Sequence, residues 1–133
     1  MKIHFIAIAI GLLTDLLLSV LAAPLEQLMM LTPTTGRENT TFYISSLILG
    51  LIAILIGGAV TAYLSRSNKI ANTAIYGILE ECLGLALLFV TPAPFWFTFL
   101  SMLFIIPASL SGAYLVTRTG HDGDTSEAHD GDT

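Results

Sequence analysis

Two long stretches of this chain carry no charge, residues 39–65 and residues 82–117. A helix needs about 20 mainly apolar residues to cross roughly 30 Å of hydrocarbon, so the first stretch holds one crossing and the second is too long for one. Thr91-Pro92-Ala93-Pro94 divides it. Proline lacks an N–H and turns its predecessor away from the helical region, so this tetrapeptide predicts a tight turn with Pro94 starting the next helix. The same length criterion predicts four spans, at about residues 3–23, 42–64, 70–90 and 95–117. The expected fold is therefore all-α, an integral membrane four-helix bundle formed by residues 1–118, followed by an acidic tail at 119–133.

Composition agrees. Of the 133 residues, 54% are hydrophobic and 11% charged, against roughly 25% charged in a soluble domain. A mean hydropathy of +0.80 cannot be hidden in one small core, which disfavours a soluble enzyme, a disordered protein and a nucleic-acid binder. The net charge of −5 comes from the tail, because Asp122, Asp124, Glu127, Asp130 and Asp132 fall in it and the body balances. The tail repeats His-Asp-Gly-Asp-Thr at residues 121–125 and 129–133. Its composition predicts a solvated segment, and its spacing fits no calcium loop. A single cysteine, Cys82, allows no internal disulfide.

Basic residues set orientation. Lys2, Arg66, Lys69 and Arg118 fall on one side of the four-span arrangement and only Arg37 on the other, which predicts an inner-membrane protein with both termini cytoplasmic. Phe42, Tyr43, Phe95, Trp96, Phe97 and Phe99 would form an outer interfacial belt. Pro24 is expected to end the first span and open a short surface helix using Leu25, Leu28 and Met29. Asn39-Thr40-Thr41 matches a glycosylation sequon by pattern only. The first span has a rival reading as a signal peptide ending near Ala22-Ala23, against which stand its length and the interruption at Thr14-Asp15.

Small residues at intervals of three and four mark helix contact faces in lipid. Ser46, Gly50, Ala53, Gly57 and Thr61 share a sector of about 80° on the second span, and Gly11, Gly77 and Gly84 play that part on the first and third. The acids are harder to place. Asp15 lies 13 residues beyond Lys2, and Glu80 and Glu81 lie 11 and 12 beyond Lys69, which puts all three at a common depth of roughly 16 to 20 Å. Counting back 11 residues from Arg118 reaches Pro107, expected to kink the last helix and free the Leu103 carbonyl at that level. A proline break facing carboxylates at mid-membrane is where transporters place coupling ions.

An acid at a helix centre costs about 2.5 to 3.5 kcal/mol, so Glu80 with Glu81 costs about 5 to 7, while the span's aliphatic and aromatic residues return roughly 3 to 6. The third span must be held by its neighbours. Glu80 and Glu81 diverge by about 100°, and Glu80 is the better inward candidate. Asp15, Glu80, Glu81 and Pro107 thus form a candidate proton or cation site, whose alternatives are protonated acids acting as glue between helices or a third span seated closer to the surface.

The stretch Gly57-Gly58-Ala59-Val60-Thr61-Ala62, followed by the basic turn Arg66 to Lys69 and then Ala74 and Gly77, resembles the central hairpin of small bacterial four-helix integral membrane proteins. The resemblance covers about 30 residues, and it implies a fold without an activity. The chain is also similar to small multidrug resistance transporters in length, span number and a first-helix acid, but it has Asp15 where they carry Glu, lacks their aromatic third-helix pattern and adds Glu80-Glu81. No phosphate-binding loop, metalloprotease motif or nucleophile–histidine pair is present. The expected function is that of a non-enzymatic membrane subunit without cofactor or metal, embedded in lipid, self-associating or bound to other membrane subunits. The alternative is a small proton- or cation-coupled transporter.

Overall fold

The computed structural model describes residues 3–30 and 40–119. Expectations placed on Lys2, Arg37, Asn39 and the tail from residue 120 lie outside these residues. The described residues form four helices, α1 Phe5–Met30, α2 Thr40–Leu64, α3 Lys69–Leu88 and α4 Phe95–Thr119. All four are long and apolar enough to cross a bilayer, the construction of a multi-pass membrane protein. Large side chains such as Ile6, Leu21, Phe89 and Phe95 stand outward and exposed, a surface that suits hydrocarbon and not water.

α2 is the central element. It packs on α1, α4 and α3, whereas α1 and α4 do not meet among the described residues, and α1 and α3 share the thinnest contact. The helices run up, down, up and down. One end of the bundle, its base, therefore holds the start of α1, the α2–α3 turn with Arg66 and Lys69, and Arg118 at the end of α4. The other end, its rim, holds the starts of α2 and α4.

Local chemistry explains the turns. Asn68 at φ 52° reverses the chain between α2 and α3, and asparagine tolerates this left-handed conformation better than branched residues do. At the rim, the Val90 and Thr91 N–H groups donate to the Leu87 carbonyl and close α3. The Pro94 carbonyl then accepts the Thr98 N–H at 3.1 Å and opens α4. α3 ends two residues before the expected Val90. Tyr43 bridges the rim, with its ring centroid 6.1 Å from Trp96 and 5.3 Å from Phe97.

α1 departs from expectation. Pro24 does not end it, and the helix continues to Met30. A proline inside a helix removes one backbone donor without preventing continuation, and here the extension is anchored because Ser46 Oγ of α2 donates to Glu26 Oε1 at 2.7 Å. The surface segment expected after Ala23 is thus the last two turns of α1.

A carboxylate cavity above a polar, close-packed base

The glycines divide the bundle into two halves. In the base half, a methyl group on Gly11 would meet Thr61 Oγ1, one on Gly57 the Tyr76 hydroxyl, one on Gly77 Ser109 Oγ, and those on Gly58 and Gly112 the backbones of Ser109 and Leu55. Here the helices approach too closely for any side chain. In the rim half, a methyl group on Gly50 or Gly84 would have no neighbour within 4 Å. This corrects the expectation that Gly50 and Gly84 sit on packed faces. The α2 stripe is continuous in sequence, but the helices it faces diverge above Ile54.

That divergence opens a cavity of about 300 Å³. Asp15 and Ser19 of α1, Ser46 and Gly50 of α2, Glu80 and Gly84 of α3, and Phe97 and Ser101 of α4 line it, with Ile54 among the residues at its lower end. Toward the rim it shares Ser19, Gly50, Leu87 and Phe97 with a second cavity of about 540 Å³ that adds Ala53, Glu26 and Thr91. Asp15 and Glu80 thus face one space. Asp15 Oδ1 is buried and has no hydrogen-bond partner.

Helical spacing builds each wall. Gly11, Asp15 and Ser19 follow one another at intervals of four, as do Tyr76, Glu80 and Gly84, and Phe97, Ser101, Ile105 and Ser109. Residues four apart lie on one face, so α1, α3 and α4 each turn one such ridge toward the cavity, with Ser19 at its exposed edge.

Glu81, one residue on, lines an adjoining crevice of about 260 Å³ between α3 and α4, with Thr98 and Met102, which shares Gly84, Leu87, Phe97, Ser101 and Ile105 with the carboxylate cavity. The two adjacent glutamates line neighbouring spaces with a common wall, and only Glu80 shares its space with Asp15. Pro107 joins neither. It is exposed on α4, as is Leu103, because it stands two residues, about 200° of helix rotation, from the inward Ile105. The freed carbonyl expected to face the carboxylates belongs to the outer face. Ser46, placed on a packing face by its spacing, instead lines the cavity and holds Glu26. Sequence reading missed Glu26, Ser19, Ser101 and Tyr76; the four-residue ridges were the signal that could have found the last three.

Below the cavity the interior is polar. Tyr76, Asn72, Thr61, Thr73, Ser65 and Ser109 are the largest fully buried side chains. Tyr76 donates its hydroxyl to the Ile54 carbonyl at 3.5 Å, Thr61 to Gly57 at 2.9 Å and Ser65 to the Thr61 carbonyl at 2.7 Å. Asn72 ties three elements together: its Nδ2 donates to the Ser67 carbonyl, its Oδ1 accepts the His4 backbone N–H, and His4 Nε2 lies 3.2 Å from Ser67 Oγ. Among the described residues, no three His, Cys, Asp or Glu side chains gather as metal ligands. No family model, curated protein or solved structure matches this chain.

Proposed function

We propose that this chain is a multi-pass inner-membrane protein, with its base and both termini cytoplasmic, that works as a small proton- or cation-coupled carrier and not as an enzyme. The observation that carries this reading is the buried, unpartnered Asp15 oxygen facing the same cavity as Glu80. A carboxylate held in hydrocarbon without a base costs several kcal/mol, on the order of 3 for each acid. Such a cost persists where the group binds and releases a charge. Serine hydroxyls around the acids offer further ligands, and the cavity leads toward the rim past Glu26.

Purified protein in lipid vesicles tests this. Ion-dependent flux that disappears in Asp15→Asn and Glu80→Gln supports the carrier; absence of flux for protons, alkali cations and every solute tried rejects it. A second reading is favoured by the thin α1–α3 edge, across which a second copy or another membrane subunit would pack. Light scattering of the protein in detergent checks it, and a monomer mass at all concentrations would exclude self-association.

A further inference from the structure

We infer that the base of the bundle is a binding surface for the headgroups of anionic phospholipids, with Arg66, Lys69 and Arg118 taking the phosphate and Tyr63 and Tyr114 lying at the edge of the hydrocarbon above it. The inference needs only a multi-pass membrane protein and stands apart from the carrier reading.

The first observation is charge without counter-charge. The described base consists of residues 3–8, 61–73 and 113–119, which hold three Lys or Arg residues and no Asp or Glu. The acids stand far off. Asp15 lies ten residues beyond the start of α1 at Phe5, Glu80 and Glu81 lie eleven and twelve beyond Lys69, and Glu26 is near the rim. Even the nearest is about 15 Å along its helix, beyond the roughly 10 Å over which exposed charges act in dilute salt. Arg66 and Arg118 are exposed and Lys69 is half-buried. Among the described residues none of these three side chains has an ion pair or hydrogen bond.

The second observation is layering. α2 and α4 run side by side toward the base, and a methyl group on Gly58 would meet the Ser109 backbone, which fixes their register. Helical bonding on the α2 side continues to Ser65, whose N–H donates to the Thr61 carbonyl. Tyr63 and Tyr114 each lie five residues beyond the Gly58–Ser109 contact, and Arg66 and Arg118 lie eight and nine beyond it. The two tyrosines therefore share one level and the two arginines another, about one helical turn further out. Both rings stand outward, Tyr63 76% and Tyr114 62% exposed. Lys69 opens α3, and α2, α3 and α4 all pack on one another, so the three bases stand on neighbouring helix ends whose axes are about 8 to 10 Å apart.

This order matches that of a lipid leaflet. A tyrosine ring is apolar and its hydroxyl is not, so it settles where hydrocarbon meets headgroup. Arginines one turn beyond such rings stand at the phosphates, and a guanidinium donates two parallel N–H bonds to phosphate oxygens. A zwitterionic headgroup carries its own cation, whereas an anionic one supplies the charge that the unpaired bases lack. The acidic segment after residue 119 is a second source of negative charge, but its carboxylates would give no role to the two exposed phenols above the arginines.

The test measures binding of pyrene-labelled phosphatidylglycerol, and of the matching phosphatidylcholine, to the full chain in micelles of neutral detergent. Each basic residue near a lipid surface is worth roughly fivefold in affinity, so phosphatidylglycerol is expected to bind at least about tenfold more tightly. Arg66→Gln and Arg118→Gln are each expected to weaken it by roughly fivefold, with phosphatidylcholine binding and the melting temperature unchanged. Equal binding of the two lipids by the full chain would overturn the inference, and a preference that emerged only on removing residues 121–133 would give the base to the acidic tail instead. Displacement of phosphatidylglycerol by inorganic phosphate at equal concentration would reassign the surface to free anions, and an undiminished preference in both variants would place the lipid elsewhere.

Discussion

Gly58 and Gly112 bring α2 and α4 into backbone contact, because a methyl group on either meets main-chain atoms of the other helix. Backbone atoms cannot rotate away as a side chain can. Gly58→Ala and Gly112→Ala are therefore expected to lower stability by about 1 to 3 kcal/mol each, read as a fall in melting temperature in detergent. Gly50→Ala and Gly84→Ala enter open space and are expected to stay within about 0.5 kcal/mol. Asp15 obeys the opposite logic. Its buried Oδ1 lacks a partner, so Asp15→Leu removes an unsatisfied group while nearly keeping the volume. Stability is expected to rise by about 1 kcal/mol and ion flux to vanish, a separation that identifies a residue kept for function. A lower melting temperature in Asp15→Leu would show that the carboxyl is structural.

At the scale of the element, the two helix-interior prolines have different consequences. Pro24 lies near the end of α1, and the bond between Ser46 and Glu26 fixes the two turns around and beyond it against α2. Pro107 lies mid-helix with its ring exposed, on the face away from Phe97, Ser101 and Ile105. Pro107→Ala restores one backbone hydrogen bond without touching the cavity. Ion flux in vesicles is expected to be unchanged, with an equal or higher melting temperature; loss of flux in a stable Pro107→Ala protein would show that the proline shapes the cavity from outside.

For the molecule as a whole, the depth at which α3 sits decides whether the cavity lies within the hydrocarbon. Cys82 reports that depth, since it follows Glu81 and is exposed on the bundle's outer face. In a bilayer that face meets lipid, which a charged, water-soluble reagent does not enter. A membrane-impermeant maleimide is expected to label Cys82 poorly in intact and inverted membrane vesicles and fully after denaturation in detergent. Rapid labelling from either side would lift the middle of α3 out of the membrane and remove the basis for an intramembrane site.

Helix number and approximate position were legible without coordinates because their determinants are local. Uncharged length, the Pro92–Pro94 turn and the Arg66–Lys69 turn each act within a few residues of where they stand. The shared level of Asp15 and Glu80 also followed from counting along single helices. Rotation of each helix about its own axis did not. In a soluble bundle the apolar stripe points inward, but in a chain made for hydrocarbon the outward face is as apolar as the inward one, so no amphipathic direction says which way Pro107 or Gly50 looks. That choice belongs to all four helices at once: the glycine contacts of the base bring α2 against α1, α3 and α4, and their divergence toward the rim turns Gly50 and Gly84 from packing positions into cavity wall. The extension of α1 through Pro24 was likewise decided by Ser46, a residue on another helix. Local sequence determined the elements, and only their mutual packing decided which side chains share a space.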